Sequence, residues 1–175
     1  MSRQRNPNRV FISLGSNIEA ALNLPAAVRL LDGYGEVTAA STVYETRPVK
    51  FQDQANFLNA AVLLETGRDL DAAFGEIVPE IEHALHRVRD PANRNGPRTI
   101  DLDIVLFNDL VSRTHHHELP DPEIETRPFV GIPLAEIAPD YIHPVKQRSL
   151  AEIARDIPVE PGDMQPRPDV VLLAR

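Results

Sequence analysis

The order of strand-like and helix-like segments constrains the fold of this chain most. Short β-rich runs cover residues 10–14, 37–44, 57–65 and 100–107. A helical pattern follows the first run and another follows the third. Strand, helix, strand, strand, helix, strand is the split β-α-β pattern of ferredoxin-like folds. We therefore predict an α+β fold with a ferredoxin-like βαββαβ core, in which an antiparallel sheet carries helices on one face.

The two helical patterns carry signals for where each helix begins. Asn23 suits the N-cap of the first helix, with Pro25 tolerated in the first turn. Residues 69–71 suit the start of the second helix because acidic side chains are favourable at a helix N-terminus. Pro79 lies inside this second pattern, where it removes a backbone donor and predicts a kink.

Length and composition indicate one principal domain in a chain of 175 residues that is 42% apolar. We predict a polar tail over residues 1–8, one domain over 9–157 and a proline-rich, extended segment over 158–175. Within the domain, residues 133–137 and 149–157 are predicted to form short helices that pack on the core.

Charge and the absence of cysteine narrow the class of protein. A formal net charge of −8 argues against a general binder of nucleic acid or of anionic membranes. The absence of cysteine excludes disulfides, thiolate metal sites and a cysteine nucleophile. The polar start does not resemble a secretory signal, and no apolar run approaches the roughly 20 residues that span a bilayer. We expect a cytoplasmic protein.

Two aspartates alternate with apolar residues in the run 100–107. Period-two alternation places Ile100, Leu102, Ile104 and Leu106 on one face, so Asp101 and Asp103 share the other. Their Cα atoms lie about 7 Å apart, so both carboxylates can reach the same hard cations. The alternative is an exposed strand with two solvated aspartates.

An arginine-rich stretch just upstream favours a site. It contains Arg87, Arg89, Arg94 and Arg98, with Asp90 as the one acidic residue among them. Arginines that hold phosphate oxygens and carboxylates that hold Mg²⁺ are the two halves of a polyphosphate site. Neither a Gly-x-x-x-x-Gly-Lys-Ser/Thr loop nor a Gly-x-Gly-x-x-Gly fingerprint is present, so side chains and metal would grip any nucleotide.

Other residues are ambiguous from their type alone. By residue type alone, two of them would be aromatic residues of the core, Phe57 and Phe129, and Asn59 would be an amide at the end of a strand. The run of histidines at 115–117 suggests a metal site, but consecutive residues of an extended segment point to alternate sides, and no matched ligands lie nearby. We reject a zinc site there.

Several motifs resemble one family. They are Gly15-Ser16-Asn17, Gln52-Asp53-Gln54 followed by Phe57-Leu58-Asn59-Ala60-Ala61-Val62, Gly96-Pro97-Arg98-Thr99-Ile100-Asp101-Leu102-Asp103, and Pro133-Leu134-Ala135-Glu136-Ile137-Ala138-Pro139. In this order they resemble the 6-hydroxymethyl-7,8-dihydropterin pyrophosphokinases. The resemblance implies a ferredoxin-like fold, two Mg²⁺ ions, and transfer of the β,γ-diphosphate of ATP to the pterin alcohol with release of AMP.

The resemblance also assigns roles to residues. It implies that Asp101 and Asp103 ligate both metals, and that Arg87 and Arg98 stabilise charge on the transferring group. The residues implied for ATP are Glu82, Arg89, Arg94, Ile104, His116 and Arg127. Those implied for the pterin are Thr46, Arg47, Val49, Phe57, Asn59 and Phe129, with the ring stacked between the two phenylalanines. The loop at 90–97 would close over the site.

Some positions depart from the family pattern. Asp121 stands in Pro120-Asp121-Pro122, where the family has an imidazole near the ATP phosphates. Asn95 stands where the family often has an aromatic residue in the loop at 90–97, and Arg47 stands where it often has a proline. Pro79 stands where the family can have a glutamine that faces the nucleotide. Together these changes predict weaker ATP binding.

Two alternatives stay open from the sequence. A non-catalytic relative that binds pterin or nucleotide fits Asp121 and Asn95, but the complete Asp101 and Asp103 pair opposes it. A transferase that acts on another heterocyclic alcohol fits Phe57 and the altered loop after Thr46. As partners we expect ATP and the pterin, a monomeric chain, association with other folate-pathway enzymes as a hypothesis, and neither nucleic acid nor membrane.

Overall fold

A computed structural model of the chain describes residues 6–114 and 117–173. Within these residues, six strands form one sheet in which all pairings are antiparallel. The strands are β1 (Asn8–Ser16), β2 (Glu36–Ala40), β3 (Tyr44–Thr46), β4 (Phe57–Thr66), β5 (Asp101–Phe107) and β8 (Met164–Pro166). Their order is β5-β1-β4-β3-β8, and β2 also pairs with β4. A separate hairpin joins β6 (Ser112–Arg113) to β7 (Glu118–Leu119). The predicted α+β fold with an antiparallel sheet is confirmed.

Helices cover both faces of the sheet. They are α1 (Ala20–Asp32), α2 (Leu70–Ala72), α3 (Val78–Ala84), α4 (Pro128–Ile137) and α5 (Leu150–Asp156), with a 3₁₀ turn at Pro122–Glu125. One core cluster joins α1 and α3 to the face of β1 that carries Ile12. A second cluster joins α4 and α5 to the opposite face, through Phe11. The two helices of the predicted core, α1 and α3, thus share one face as expected, and the late helices, for which no face was predicted, cover the other.

The first helix begins earlier than predicted. Its N-cap is Glu19, whose carbonyl accepts from the backbone of Leu22 and Asn23. Asn23 is therefore inside α1, where its amide donates to the carbonyl of Ile18 at 2.7 Å. The predicted N-cap at Asn23 was wrong, and Pro25 lies in the second turn.

The second helix starts as predicted, with Asp69 accepting from the backbone of Ala72 at 2.9 Å. A π-helical turn, Ala73–Ile77, then precedes α3. Pro79 lies in the first turn of α3, where it has no N–H for the usual hydrogen bond. The predicted disturbance at Pro79 thus takes the form of a π turn just before it.

The second predicted strand is divided in two. At the break, the backbone of Ala61 donates to the Ser41 hydroxyl at 2.9 Å, and the backbone of Thr42 donates to Glu136 of α4 at 2.8 Å. At the break between β2 and β3, these two side chains thus accept from backbone N–H groups in place of main-chain carbonyls. The helix predicted at 133–137 begins earlier, at Pro128. Ser149 is the N-cap of α5 and forms a capping box with Glu152.

The alternation predicted for β5 fails near its end. Phe11 of β1 pairs with Leu106 and Ile12 pairs with Ile104, so Val105 is an extra residue. Because of this irregularity, the Leu106 side chain points to the opposite face and packs in the second core cluster. The first cluster contains Ile100, Leu102 and Ile104. Asp101 and Asp103 precede the irregularity and keep a common face.

Part of the segment that follows residue 157 joins the sheet. Strand β8 pairs with β3, and Val170 and Leu172 are buried in the first core cluster. At the other end, Asn8 already belongs to β1. None of the helices in the described residues has the length and apolarity needed to cross a bilayer.

Candidate active site

Strand β5 presents two carboxylates with different surroundings. Asp101 accepts from Arg87 Nη1 at 2.5 Å and from Arg98 Nη1 at 2.7 Å, one on each oxygen. The Asp103 side chain has no hydrogen bond or ion pair within residues 6–114 and 117–173, and it opens into a cavity. Asp101 is therefore charge-compensated, whereas Asp103 is not.

The surroundings of Asp103 disfavour its charge. Partial desolvation in the concave site, followed by the negative charges of Asp101, Asp121 and Glu123, raises the pKa of Asp103 to about 7. The Asp103 side chain nevertheless stays open to solvent within the cavity. A cation bound between these carboxylates would offset that repulsion.

Arg87 belongs to a buried ionic network. Its Nη1 donates to Glu82 as well as to Asp101, and the side chains of Arg87 and Glu82 are each 8% exposed. Burial alone lowers the pKa of Arg87, but the carboxylates of Asp101 and Glu82 outweigh it and leave the pKa raised. Arg89 donates to the other oxygen of Glu82 at 2.7 Å. Glu82 therefore holds two arginines of the stretch in place.

Arg98 is fixed at both its backbone and its side chain. Its backbone N–H donates to Asn17 Oδ1 at 2.8 Å, and its carbonyl accepts from the backbone of Asn17 at 3.1 Å. The guanidinium lies over the ring of Phe57, with 5.7 Å between its central carbon and the ring centroid. It also donates to the carbonyl of Gly96 at 3.2 Å. Arg98 thus lies between the carboxylates and an aromatic wall.

One cavity of about 260 Å³ brings most of the predicted residues together. Of the predicted residues, those that line it are Thr46, Arg47, Val49, Phe57, Asn59, Arg98, Asp101, Asp103, Arg127 and Phe129. Its volume is slightly below the range of drug-sized ligand pockets. The cavity therefore has room for a small ring system and places that ring beside Asp101 and Asp103.

A buried amide lies in the wall of this cavity. Asn59 Nδ2 donates to Thr46 Oγ1 at 2.7 Å, and both residues are 6% exposed. Gly15 lies next to the Asn59 carbonyl oxygen, because a Cβ at Gly15 would be 3.3 Å from that oxygen. The lack of a side chain at Gly15 leaves the carbonyl oxygen uncrowded. Asn59 can thus present one fixed polar edge to a ligand.

A second cavity, of about 580 Å³, is formed by the arginine-rich stretch. Of the predicted residues, Arg87, Arg89, Arg94 and Arg98 line it. Arg98 lines both cavities, so the two adjoin at its side chain. Guanidinium groups bind phosphate oxygens with good geometry, which suits this cavity to a polyphosphate.

Two of the residues predicted for ATP, Ile104 and Glu82, lie outside the two cavities. The Ile104 side chain is buried in the core, and the Glu82 side chain is enclosed by its arginine partners, so neither lines the two cavities described above. His116 lies outside the described residues. His117, at the end of the histidine run, stacks on Phe74 with 4.3 Å between ring centroids.

Asn17 and Gln54 connect the loops around the site, and no role was predicted for them. Asn17 donates to Gln54 Oε1 at 2.9 Å, and Gln54 Nε2 donates to the carbonyl of Asn95 at 2.9 Å. Both residues belong to motifs recognised in the sequence, Gly15-Ser16-Asn17 and Gln52-Asp53-Gln54. The residue types alone could not predict these hydrogen bonds, because the bonds form only where three loops that are distant in sequence come together.

Asp121 and Glu123 add negative charge to the first cavity. Asp121 accepts from the backbone of Glu123 at 2.8 Å, and burial raises its pKa. Arg127 Nε lies 3.8 Å from a Glu123 oxygen. Within the described residues, no group of three or more histidine or acidic side chains is arranged to hold a metal ion.

Comparison with known proteins agrees with this geometry. The sequence model of 7,8-dihydro-6-hydroxymethylpterin-pyrophosphokinase matches residues 11–139, which is most of the chain. The chain belongs to this pyrophosphokinase family. It is 44% identical to the 2-amino-4-hydroxy-6-hydroxymethyldihydropteridine pyrophosphokinase of Bacillus subtilis over 133 residues, covering 74% of this chain and 78% of that protein. It is 33% identical to the Aquifex aeolicus protein of the same name over 159 residues, covering 87% and 94%.

Solved structures share the pyrophosphokinase fold of this chain. The crystal structure of wild-type Plasmodium falciparum HPPK-DHPS superposes with a TM-score of 0.67 at 15% identity. The superposition covers 88% of this chain and 45% of that one, so the chain spans less than half of that protein. A likeness at this identity concerns the fold alone.

Proposed function

We propose that the protein transfers the β,γ-diphosphate of ATP to the hydroxymethyl oxygen of 6-hydroxymethyl-7,8-dihydropterin, giving AMP and the pterin diphosphate. The observation that carries the proposal is the meeting of Asp101, Asp103 and Arg98 beside the cavity that contains Asn59. A polyphosphate held by the arginines would there face an alcohol held in the smaller cavity. Membership of the pyrophosphokinase family supports the same reaction.

The pterin is proposed to occupy the smaller cavity. Phe57 and Phe129 supply flat apolar surface for a bicyclic ring, and Asn59 supplies an amide for its polar edge. Thr46 already bonds Asn59, so the amide is oriented before any ligand arrives. Arg47 and Val49 complete the wall on the loop that follows β3.

Magnesium is proposed to be held by Asp101 and Asp103. Carboxylate oxygens suit Mg²⁺, which is usually bound by one or two carboxylates together with substrate phosphates and water. The negative charge around Asp103 supports this fit, because a cation would relieve it. Bound there, two Mg²⁺ ions would neutralise phosphate charge and orient the displacement.

The arginines are proposed to hold the ATP phosphates and to stabilise charge on the transferring group. Arg87 and Arg98 both reach Asp101, so their guanidinium groups lie at the edge where the two cavities adjoin. Arg89 and Arg94 line the larger cavity. Preorganised cations of this kind act mainly by electrostatic stabilisation.

The proposal also covers the core topology of the protein, its location, its oligomeric state and its partners. The strand order β5-β1-β4-β3 supports a ferredoxin-like core. We propose that the protein is a cytoplasmic monomer. Association with other folate-pathway enzymes is a further hypothesis. It is motivated by relatives such as the folic acid synthesis protein FOL1 of Dictyostelium discoideum, of which this chain covers 20%.

The decisive test is AMP release by the purified protein with Mg-ATP, with and without 6-hydroxymethyl-7,8-dihydropterin. We expect AMP only when the pterin is present, and loss of that AMP in Asp101→Ala. Arg148→Ala is the matched control, because Arg148 forms a surface ion pair with Asp156, outside both cavities. Saturable pterin binding without AMP would instead favour a non-catalytic relative.

A further inference from the structure

The C-terminal strand lies against the strand that leads into the pterin cavity. In β8, Met164 pairs with Thr46, Gln165 with Glu45 and Pro166 with Tyr44. Strand β3 has only three residues, so β8 on one side and β4 on the other enclose it completely. Without β8, β3 would be a short edge strand with unpaired backbone groups.

Arg167, directly after β8, uses its backbone and its side chain to hold this arrangement. Its backbone N–H donates to the carbonyl of Val43 at 2.8 Å. Its guanidinium forms two parallel bonds with Asp169, at 2.8 and 2.7 Å, and a third with Glu45 Oε2 at 2.9 Å. A guanidinium fixed by a bidentate carboxylate can orient another carboxylate with little further loss of freedom.

Glu45 connects the two ends of the loop 47–56. It precedes Thr46 at the end of β3, and its Oε1 accepts from Asn56 Nδ2 at 3.0 Å. Asn56 is the residue just before Phe57. The donors from Asn56 and Arg167 lower the pKa of Glu45, which is consistent with a carboxylate held on both oxygens. Arg47, Val49, Lys50 and Gln54 of this loop line the cavity.

We propose that Arg167 is a positioning residue for the pterin site, which it serves by holding Glu45 at the base of the loop 47–56. The inference rests on the proposed function, because the cavity bounded by this loop is the one assigned to the pterin. A partly exposed ion pair contributes little to stability by itself. Its effect is therefore expected on the placement of the loop rather than on unfolding.

Steady-state kinetics of Arg167→Ala test the proposal. We expect the KM for the pterin to rise about fivefold to tenfold, while the KM for ATP changes less than about twofold, because the loop lines the smaller cavity and not the larger one. Arg167→Lys keeps one charged donor and should restore part of the loss. Arg148→Ala, which removes a surface arginine paired with Asp156, should change neither KM.

A double-mutant cycle makes the test specific. If Arg167 acts through Glu45, the double variant Arg167→Ala/Glu45→Gln should raise the pterin KM over the wild-type value by less than the product of the two single increases. Glu45→Gln alone still probes the link if Arg167→Ala does not fold. An unchanged pterin KM in a folded variant, or multiplicative effects, would overturn the inference alone. A wild-type protein without pterin-dependent AMP release would overturn the proposed function and this inference with it.

Discussion

Asp101 accepts a hydrogen bond from Arg87 on one carboxylate oxygen and from Arg98 on the other, at 2.5 and 2.7 Å. The same carboxylate is one of the two proposed metal ligands. Coordination of a cation would weaken Asp101 as an acceptor, so both guanidinium groups would become available to phosphate oxygens. The two arginines nevertheless differ in their other partners, because Arg87 also bonds the buried Glu82 whereas Arg98 lies over the ring of Phe57.

Arg87→Ala should impair folding as well as activity. Arg87 and Glu82 are both buried, so removing the arginine leaves a buried carboxylate with one partner fewer. Breaking a buried ion pair from one side costs about 3 kcal/mol or more in the free energy of unfolding. Denaturant titration should show this loss. A midpoint equal to that of the wild type would contradict the network as described.

Arg98→Ala should impair activity far more than folding. Its side chain is 16% exposed and lies where the two cavities adjoin. Loss of one preorganised charge partner lowers kcat by about 10²-fold to 10³-fold. Steady-state AMP release measures kcat, and thermal melting provides the control. A proportionate fall in melting temperature would point to a structural role instead.

Asn59→Ala should weaken pterin binding selectively. The change removes the buried amide and leaves the Thr46 hydroxyl without its partner. A buried polar group that loses its hydrogen-bond partner costs about 1–3 kcal/mol, which corresponds to roughly a fivefold to 150-fold rise in the pterin KM. Thr46→Ser keeps the hydroxyl and is the matched control. Equal increases in the KM values for pterin and ATP would argue against a pterin-reading amide.

Asp121→His should strengthen ATP binding. Asp121 lines the cavity close enough to Asp103 for its charge to contribute to that pKa shift, so it is expected to repel phosphates. Removing that repulsion and adding an imidazole should lower the KM for ATP by about fivefold, the scale of a single like-charge contact near a protein surface. Asp121→Asn isolates the charge from the imidazole, and Asp140→His is a surface control. An unchanged KM for ATP would show that Asp121 does not face the nucleotide.

The sequence predicted the central strands because their side chains alternate or form apolar runs bounded by turn residues. β1, β4 and β5 appear within a few residues of the predicted bounds. The break between β2 and β3 was not predictable, because it depends on Glu136 of a helix far along the chain. β8 has three residues, including Pro166, and no apolar alternation, so only its partner β3 identifies it as a strand.

The parts of the site that depend on residue spacing within one strand were predicted. The contacts that depend on loops meeting in the folded chain were not. Asp101 and Asp103 share a face because of the strand period, which is a local property. The contacts of Asn17 and Gln54 depend on loops that are 37 residues apart in the chain. Leu106 was misplaced because one extra residue on β5 reverses the alternation.

Following the phosphorus atoms of ATP tests the central claim most directly. ATP labelled at its β-phosphorus is incubated with the protein, Mg²⁺ and 6-hydroxymethyl-7,8-dihydropterin, and the products are separated. The account predicts that the label appears in the pterin diphosphate in step with unlabelled AMP, and that Asp101→Asn abolishes both. Label recovered in ADP or free phosphate, with none on the pterin, would contradict diphosphate transfer by this protein.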